Sequence, residues 1–167
     1  MRNLVIPAVA LIVLAAGSAW AQGFSAEYDT SEYAGVGAGL PFGAFYGLSD
    51  ALGPDVDVRF RVGVIPFPGL FAILIGADVL AEVADIGDQA GGVYIGAGAG
   101  ATYANIVGTR GFGVEASAIV GVHLRFSEGV SGFLEGGPTL AYGFATEDFG
   151  AGLDVIPRST LGVLFHF

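Results

Sequence analysis

The chain contains no cysteine and no lysine. Without cysteine there is no disulfide framework, no thiolate metal site and no attachment point for a lipoprotein anchor. Without lysine, positive charge rests on arginine alone, and the sequence carries a net charge of −10. Nucleic-acid binding draws its phosphate contacts mainly from Lys and Arg, so so acidic a chain argues against a nucleic-acid partner. It has no polybasic patch for an anionic membrane surface either. Charged residues of both signs are scarce, at 13%, where a soluble domain carries about 25%. Long apolar runs are missing as well: after the first two dozen residues, glycine or a charge cuts every stretch short of the roughly 20 residues a bilayer helix needs. Hydrophobic residues nevertheless make up 53% of the chain. A membrane-like composition without a membrane helix points to strands.

The 167 residues suit a single domain preceded by a leader. In "MRNLVIPAVALIVLAAGSAWAQ", Arg2 supplies a positive start, Leu4 to Ala16 an apolar centre, and Ala19-Trp20-Ala21 a small-residue cleavage site. We read residues 1–21 as a secretory signal peptide cut before Gln22, and residues 22–167 as the mature domain. An uncleaved anchor helix would need a longer apolar run than one interrupted by Pro7.

Period two dominates the rest. In "DVDVRFRVGVI", Val56, Val58, Phe60, Val62 and Val64 take one face, and Asp55, Asp57, Arg59, Arg61 and Gly63 the other. In "GFGVEASAIVGVHLRF", Glu115, Ser117, His123 and Arg125 oppose an apolar face, with Ile119 the one bulky apolar residue among them. Asp78 and Glu82 oppose Phe71 through Val83, and Gly96, Gly98 and Gly100 oppose Ile95 through Ala101. "SGFLEGGPTLAYGF" is less regular because Pro138 interrupts it, but it places Glu135 on the polar side and Leu140, Tyr142 and Phe144 on the other. A lipocalin-like soluble barrel would wet this polar face. Its content of Gly, Ser, Thr and a few opposite charges makes a poor exterior for a soluble protein but suits a narrow lumen.

Turn signals divide the mature chain into strands at approximately 32–40, 43–50, 55–65, 69–83, 91–105, 111–126, 131–145 and 157–167. The stretch around Pro41 also reads as one bent strand, but seven strands would break the even count of single-chain bacterial barrels. The expected fold is therefore all-β: an eight-stranded, antiparallel, up-and-down transmembrane β-barrel. An even count puts both termini on one side, which would be the periplasmic side. "TEDFGAGLDVIP" would then be the longest outer loop. The outer loops are short and acidic, which disfavours a bulky partner.

The last strand, "STLGVLFHF", sets Leu161, Val163, Phe165 and the terminal Phe167 on one face. This alternation ending on an aromatic resembles the terminal signal of outer-membrane barrels. Together with the leader and the strand count it resembles the small OmpA/OmpX-type barrels over the whole mature chain, though on no family-specific motif. The resemblance implies the outer membrane of a diderm bacterium, a monomer among outer-membrane lipids, and recognition of those four residues by the barrel-assembly machinery. OmpA proper carries a peptidoglycan-binding domain after its barrel. This sequence stops at Phe167, so peptidoglycan anchoring is not implied.

Inside such a barrel, Asp57, Arg59, Arg61, Asp78, Glu82, Glu115, His123, Arg125 and Glu135, with Arg158 beside them, form a lumen charge network of mixed sign. Isolated charges there are costly unless paired or wetted. The leading reading is a salt-bridged plug with a structural, envelope-integrity role. A narrow pore or small-solute conduit is the alternative, and a lipid-modifying barrel enzyme a distant third. His123 lies nearest Ser127, but the serine begins a turn and offers no nucleophile–base pair, and His166 has no evident partner. No catalytic residue is assigned, and no cofactor or metal is expected, since Glu147, Asp148 and Asp154 lack calcium-loop spacing. Inward glycines leave two readings open: a lumen cavity, or room for neighbouring side chains.

Overall fold

The computed structural model describes residues 31–87, 90–145 and 152–167. The leader and most of the loop beginning at Thr146 lie outside them. The strands are β1 (Glu32–Leu40), β2 (Phe42–Leu48), β3 (Val56–Phe67), β4 (Leu70–Ile86), β5 (Gly91–Ile106), β6 (Thr109–Ser127), β7 (Val130–Ala145) and β8 (Gly152–His166). Each pairs antiparallel with its sequence neighbour, and β1 pairs with β8 from Tyr33↔His166 to Leu40↔Ser159 to close the barrel. Closure gives every strand a paired neighbour on both sides. Both ends of the barrel chain, Glu32 and His166, therefore lie at one rim, called here the terminal rim.

Sequence periodicity sets which residues face in, and the connections fit that assignment. Pro41 alone separates β1 from β2, so the stretch that could have been one bent strand is a tight reversal. Val107 and Gly108, between β5 and β6, both have positive φ (49° and 91°). That pair matches the twist of the flanking strands, and the Gly108 N–H donates to the Asn105 side chain at 3.1 Å.

Two boundaries differ from the sequence reading by more than two residues. β8 begins at Gly152, five residues before the Pro157 expected to open it. Pro157 instead sits inside the strand opposite Pro138 of β7, and both are exposed on the outer face. The β6–β7 ladder skips the residues opposite Gly137 and Pro138, because proline has no N–H to give it. β4 runs on to Ile86 because a bulge at Val83 absorbs one residue and restores the register with β5.

The barrel is inside out relative to a soluble protein. Ile75, Ile95, Val120, Leu134 and Leu161 are each at least half exposed on the outer wall, whereas Arg59 and Asp78 are 1% exposed and Glu135 2%. A smaller apolar cluster of Ala34, Tyr46 and Leu48, joined by Ala51 and Phe60, packs near the terminal rim of β1–β3.

Lipid is the solvent that such a wall matches, and a charge placed on it tests this. Val120→Arg, mid-strand on β6, is expected to lose about 2–4 kcal/mol of stability, read from urea unfolding in lipid vesicles. A cost near zero would mean that the wall faces water.

Candidate functional site

The site is the filled interior, and it is built on β3. Alternation sends Arg59 and Arg61 inward, and the β3–β4 register sets Arg59 opposite Asp78. Arg59 donates from Nε and Nη2 to Asp78 Oδ2, at 3.1 and 2.8 Å. It also donates from Nη1 to Glu135 Oε2 at 2.8 Å and from Nη2 to Glu135 Oε1 at 3.1 Å. One guanidinium thereby ties β3 to β4 and, across the lumen, to β7. Its Cζ lies 4.8 Å from the centre of the Phe45 ring, whose face favours a desolvated cation.

The layer extends on both sides. Arg61 Nε donates to Asp78 Oδ1 at 3.0 Å, and Arg61 Nη2 lies 2.6 Å from Glu115 Oε1. Arg158 Nη2 donates to Glu135 Oε1 at 2.8 Å, and the Tyr94 hydroxyl donates to Glu135 Oε2 at 3.0 Å. Three guanidiniums, on Arg59, Arg61 and Arg158, thus meet three carboxylates, on Asp78, Glu115 and Glu135. The layer is neutral as a whole, and that neutrality is what lets it sit in so dry a place.

Glycine gives these side chains their room. A Cβ on Gly98 of β5 would collide with the Asp78 carboxylate, one on Gly121 of β6 with the Tyr94 ring, and one on Gly47 of β2 with the Tyr33 ring. Gly37 and Gly162, paired across the β1–β8 closure, leave space for the inward Phe133 ring, which meets Phe45 edge-on at 5.6 Å. At these positions the glycines hold packing partners rather than an empty lumen. Ile119, the apolar residue on an otherwise polar face, is buried with Leu80 and Tyr94.

The predicted charge set divides in two. Arg59, Arg61, Asp78, Glu115 and Glu135 come together in the central layer. Asp57, Glu82, His123 and Arg125 lie closer to the terminal rim, around a polar vestibule of about 260 Å³ whose inner end reaches Arg59, Tyr33 and Tyr94. There Glu82 Oε2 lies 3.1 Å from His123 Nε2, over Gly92, where a Cβ would strike the carboxylate. Asp57 Oδ1 accepts the Asp50 N–H at 3.2 Å, and Asp50 Oδ1 accepts the Asp55 N–H at 2.7 Å. Arg125 is exposed and forms no ion pair among the described residues.

Sequence reading missed three contacts. Tyr94 carries no charge to mark it as part of an ionic layer. Arg158 stood at the margin of the set, although it bonds Glu135 directly. His166, which lacked an evident partner in sequence, lies 2.9 Å from Ser131 Oγ; only the β7–β8 register, pairing Ser131 with Leu164 two residues away, reveals it. Ser131 is 0% exposed. Among the described residues no group of three or more His, Cys, Asp or Glu could hold a metal ion.

A closed antiparallel barrel with an apolar wall and an ion-filled interior is a transmembrane β-barrel of the outer-membrane class. Among solved structures the chain is similar to Neisserial surface protein A, with 14% identity, a TM-score of 0.53, and coverage of 83% of this chain and 95% of that one. It is also similar to the N-terminal β-barrel domain of Pseudomonas aeruginosa OprF, with 18% identity, a TM-score of 0.49, and coverage of 83% and 96%. The fold is that of the small OmpA/OmpX-type barrels. In sequence, no family model and no curated protein matches.

The layer's geometry predicts unequal costs. Glu135→Gln leaves Arg59 and Arg158 short of a buried counter-charge and is expected to cost about 3–5 kcal/mol in vesicle unfolding. Arg158→Met is expected to cost clearly less, because Arg59 still holds Glu135 through two bonds. Equal losses would contradict this hierarchy.

Proposed function

We propose that the protein is an integral outer-membrane barrel with a structural, envelope-integrity role, its lumen shut by the central ionic layer. The observation that carries this reading is the burial of Arg59, Asp78 and Glu135 at the meeting point of strands from opposite walls, each 2% exposed or less. An eight-stranded barrel has an interior that side chains can fill. Here the vestibule has Arg59 at its inner end, and each nitrogen of its guanidinium is hydrogen-bonded. The chain is read as exported by the signal peptide of residues 1–21 and inserted as a monomer through the assembly machinery. Leu161, Val163, Phe165 and Phe167 would be its recognition strand. Leu161, Phe165 and Phe167 lie exposed on the outer wall, where such a receptor could read them.

A narrow conduit is the second reading, because an ionic plug can exchange partners and a polar vestibule already occupies one end. Catalysis has less support. The Ser131–His166 pair has hydrogen-bond geometry, but a wholly buried hydroxyl offers a substrate no approach.

Planar-bilayer recording separates the first two. The folded protein is expected to give no steady current in 1 M KCl, with folding verified in the same sample by a heat-dependent gel shift. Removing both Arg59 and Glu135 as alanines is expected to open one. A steady, charge-selective current from the unaltered protein would instead establish the conduit.

A further inference from the structure

The vestibule at the terminal rim has a charge arrangement that closing the lumen does not require. Its carboxylates gather on one side: Asp50 and Asp55 in the β2–β3 turn, Asp57 on β3 and Glu82 on β4. Its cation comes from the other side, Arg125 on β6, beside the His166 imidazole on β8, with His123 tied to Glu82. In an eight-stranded barrel β2–β4 stand roughly opposite β6–β8, so the two signs face each other across the opening.

Arg125 makes this more than an acidic rim. The chain holds sixteen acidic residues, yet this guanidinium has no carboxylate partner among the described residues, while every arginine of the central layer has one. On the facing side the Asp50 and Asp57 carboxylates are fixed by backbone N–H groups through one oxygen each. The Tyr33 and Tyr94 rings border the cavity more deeply, held in place over Gly47 and Gly121. The result is a cavity of about 260 Å³ with an acceptor wall, a donor wall and an aromatic inner end.

We propose that this vestibule binds a small zwitterion, its ammonium group toward Asp50 and Asp57 and its carboxylate on Arg125. A simple cation would leave Arg125 unmatched, and a simple anion would face four carboxylates. A zwitterion of amino-acid size satisfies both walls at once and fits the volume. Because the site lies on the rim side of the Arg59 layer, it does not depend on whether the lumen conducts.

The test uses three probes of similar length and different charge: β-alanine, propylamine and propionate. Each is titrated into the isotopically labelled protein in detergent micelles, following amide shifts around Tyr33, Tyr94 and His123. β-Alanine is expected to produce saturable shifts at concentrations at least fivefold below those needed for either singly charged probe. Arg125→Gln should bring β-alanine to the level of propylamine, and Asp57→Asn should weaken β-alanine and propylamine but spare propionate. A heat-dependent gel shift establishes that both variants fold. Equal response to all three probes, tighter binding of propionate or propylamine alone, or β-alanine binding untouched by Arg125→Gln would overturn the proposal.

Discussion

A guanidinium that water cannot reach has to be answered by carboxylates brought to it, and Arg59 imposes that condition on most of the barrel. Two acids from different walls, Asp78 on β4 and Glu135 on β7, must meet one side chain from β3. Breaking a buried pair by removing one partner costs far more than the pair's net contribution. The layer therefore acts less as glue than as a specification, because a register slip on any of the three strands would strand a charge. The same condition dictates small residues nearby. Asp78 can turn toward both Arg59 and Arg61 only because Gly98 beside it has no side chain. Glycine-rich strands, which would weaken a soluble sheet, are here what a crowded interior leaves room for.

The parts legible in sequence were those that depend on one strand at a time. Alternation along β3, β4, β6 and β7 identified the inward face, and with it Arg59, Arg61, Asp78, Glu115 and Glu135 of the layer, because period two needs no partner to be read. What alternation cannot give is height along the barrel. Asp57 and Arg59 carry the same inward signature two residues apart, yet Arg59 belongs to the buried layer and Asp57 to the vestibule. Which of the two meets the acids of the other strands is set by the stagger between strands. The pairing of Arg59 with Glu135, 76 positions later in the chain, comes from closure of the barrel and leaves no local trace. The start of β8 was misplaced for a related reason. Proline usually marks a strand end, but Pro157 faces outward opposite Pro138, where the ladder can do without its N–H.

The layer and the vestibule are joined through Tyr94. Its hydroxyl donates to Glu135 in the layer, and its ring lies 6.3 Å from that of His123, which in turn contacts Glu82 in the vestibule. Because Gly121 leaves the ring no competing side chain, Tyr94 spans the boundary without distorting either part. The inner end of the vestibule is thus a face of the plug itself. Tyr94 borders the Glu82–His123 pair on one side and, through its hydroxyl, bonds the carboxylate that holds Arg59 and Arg158 on the other. Rigidity in the layer and accessibility in the vestibule are then two demands on the same tyrosine. A larger residue at position 121 would sever them together, whereas Tyr94→Phe would keep the packing and remove only the bond to Glu135.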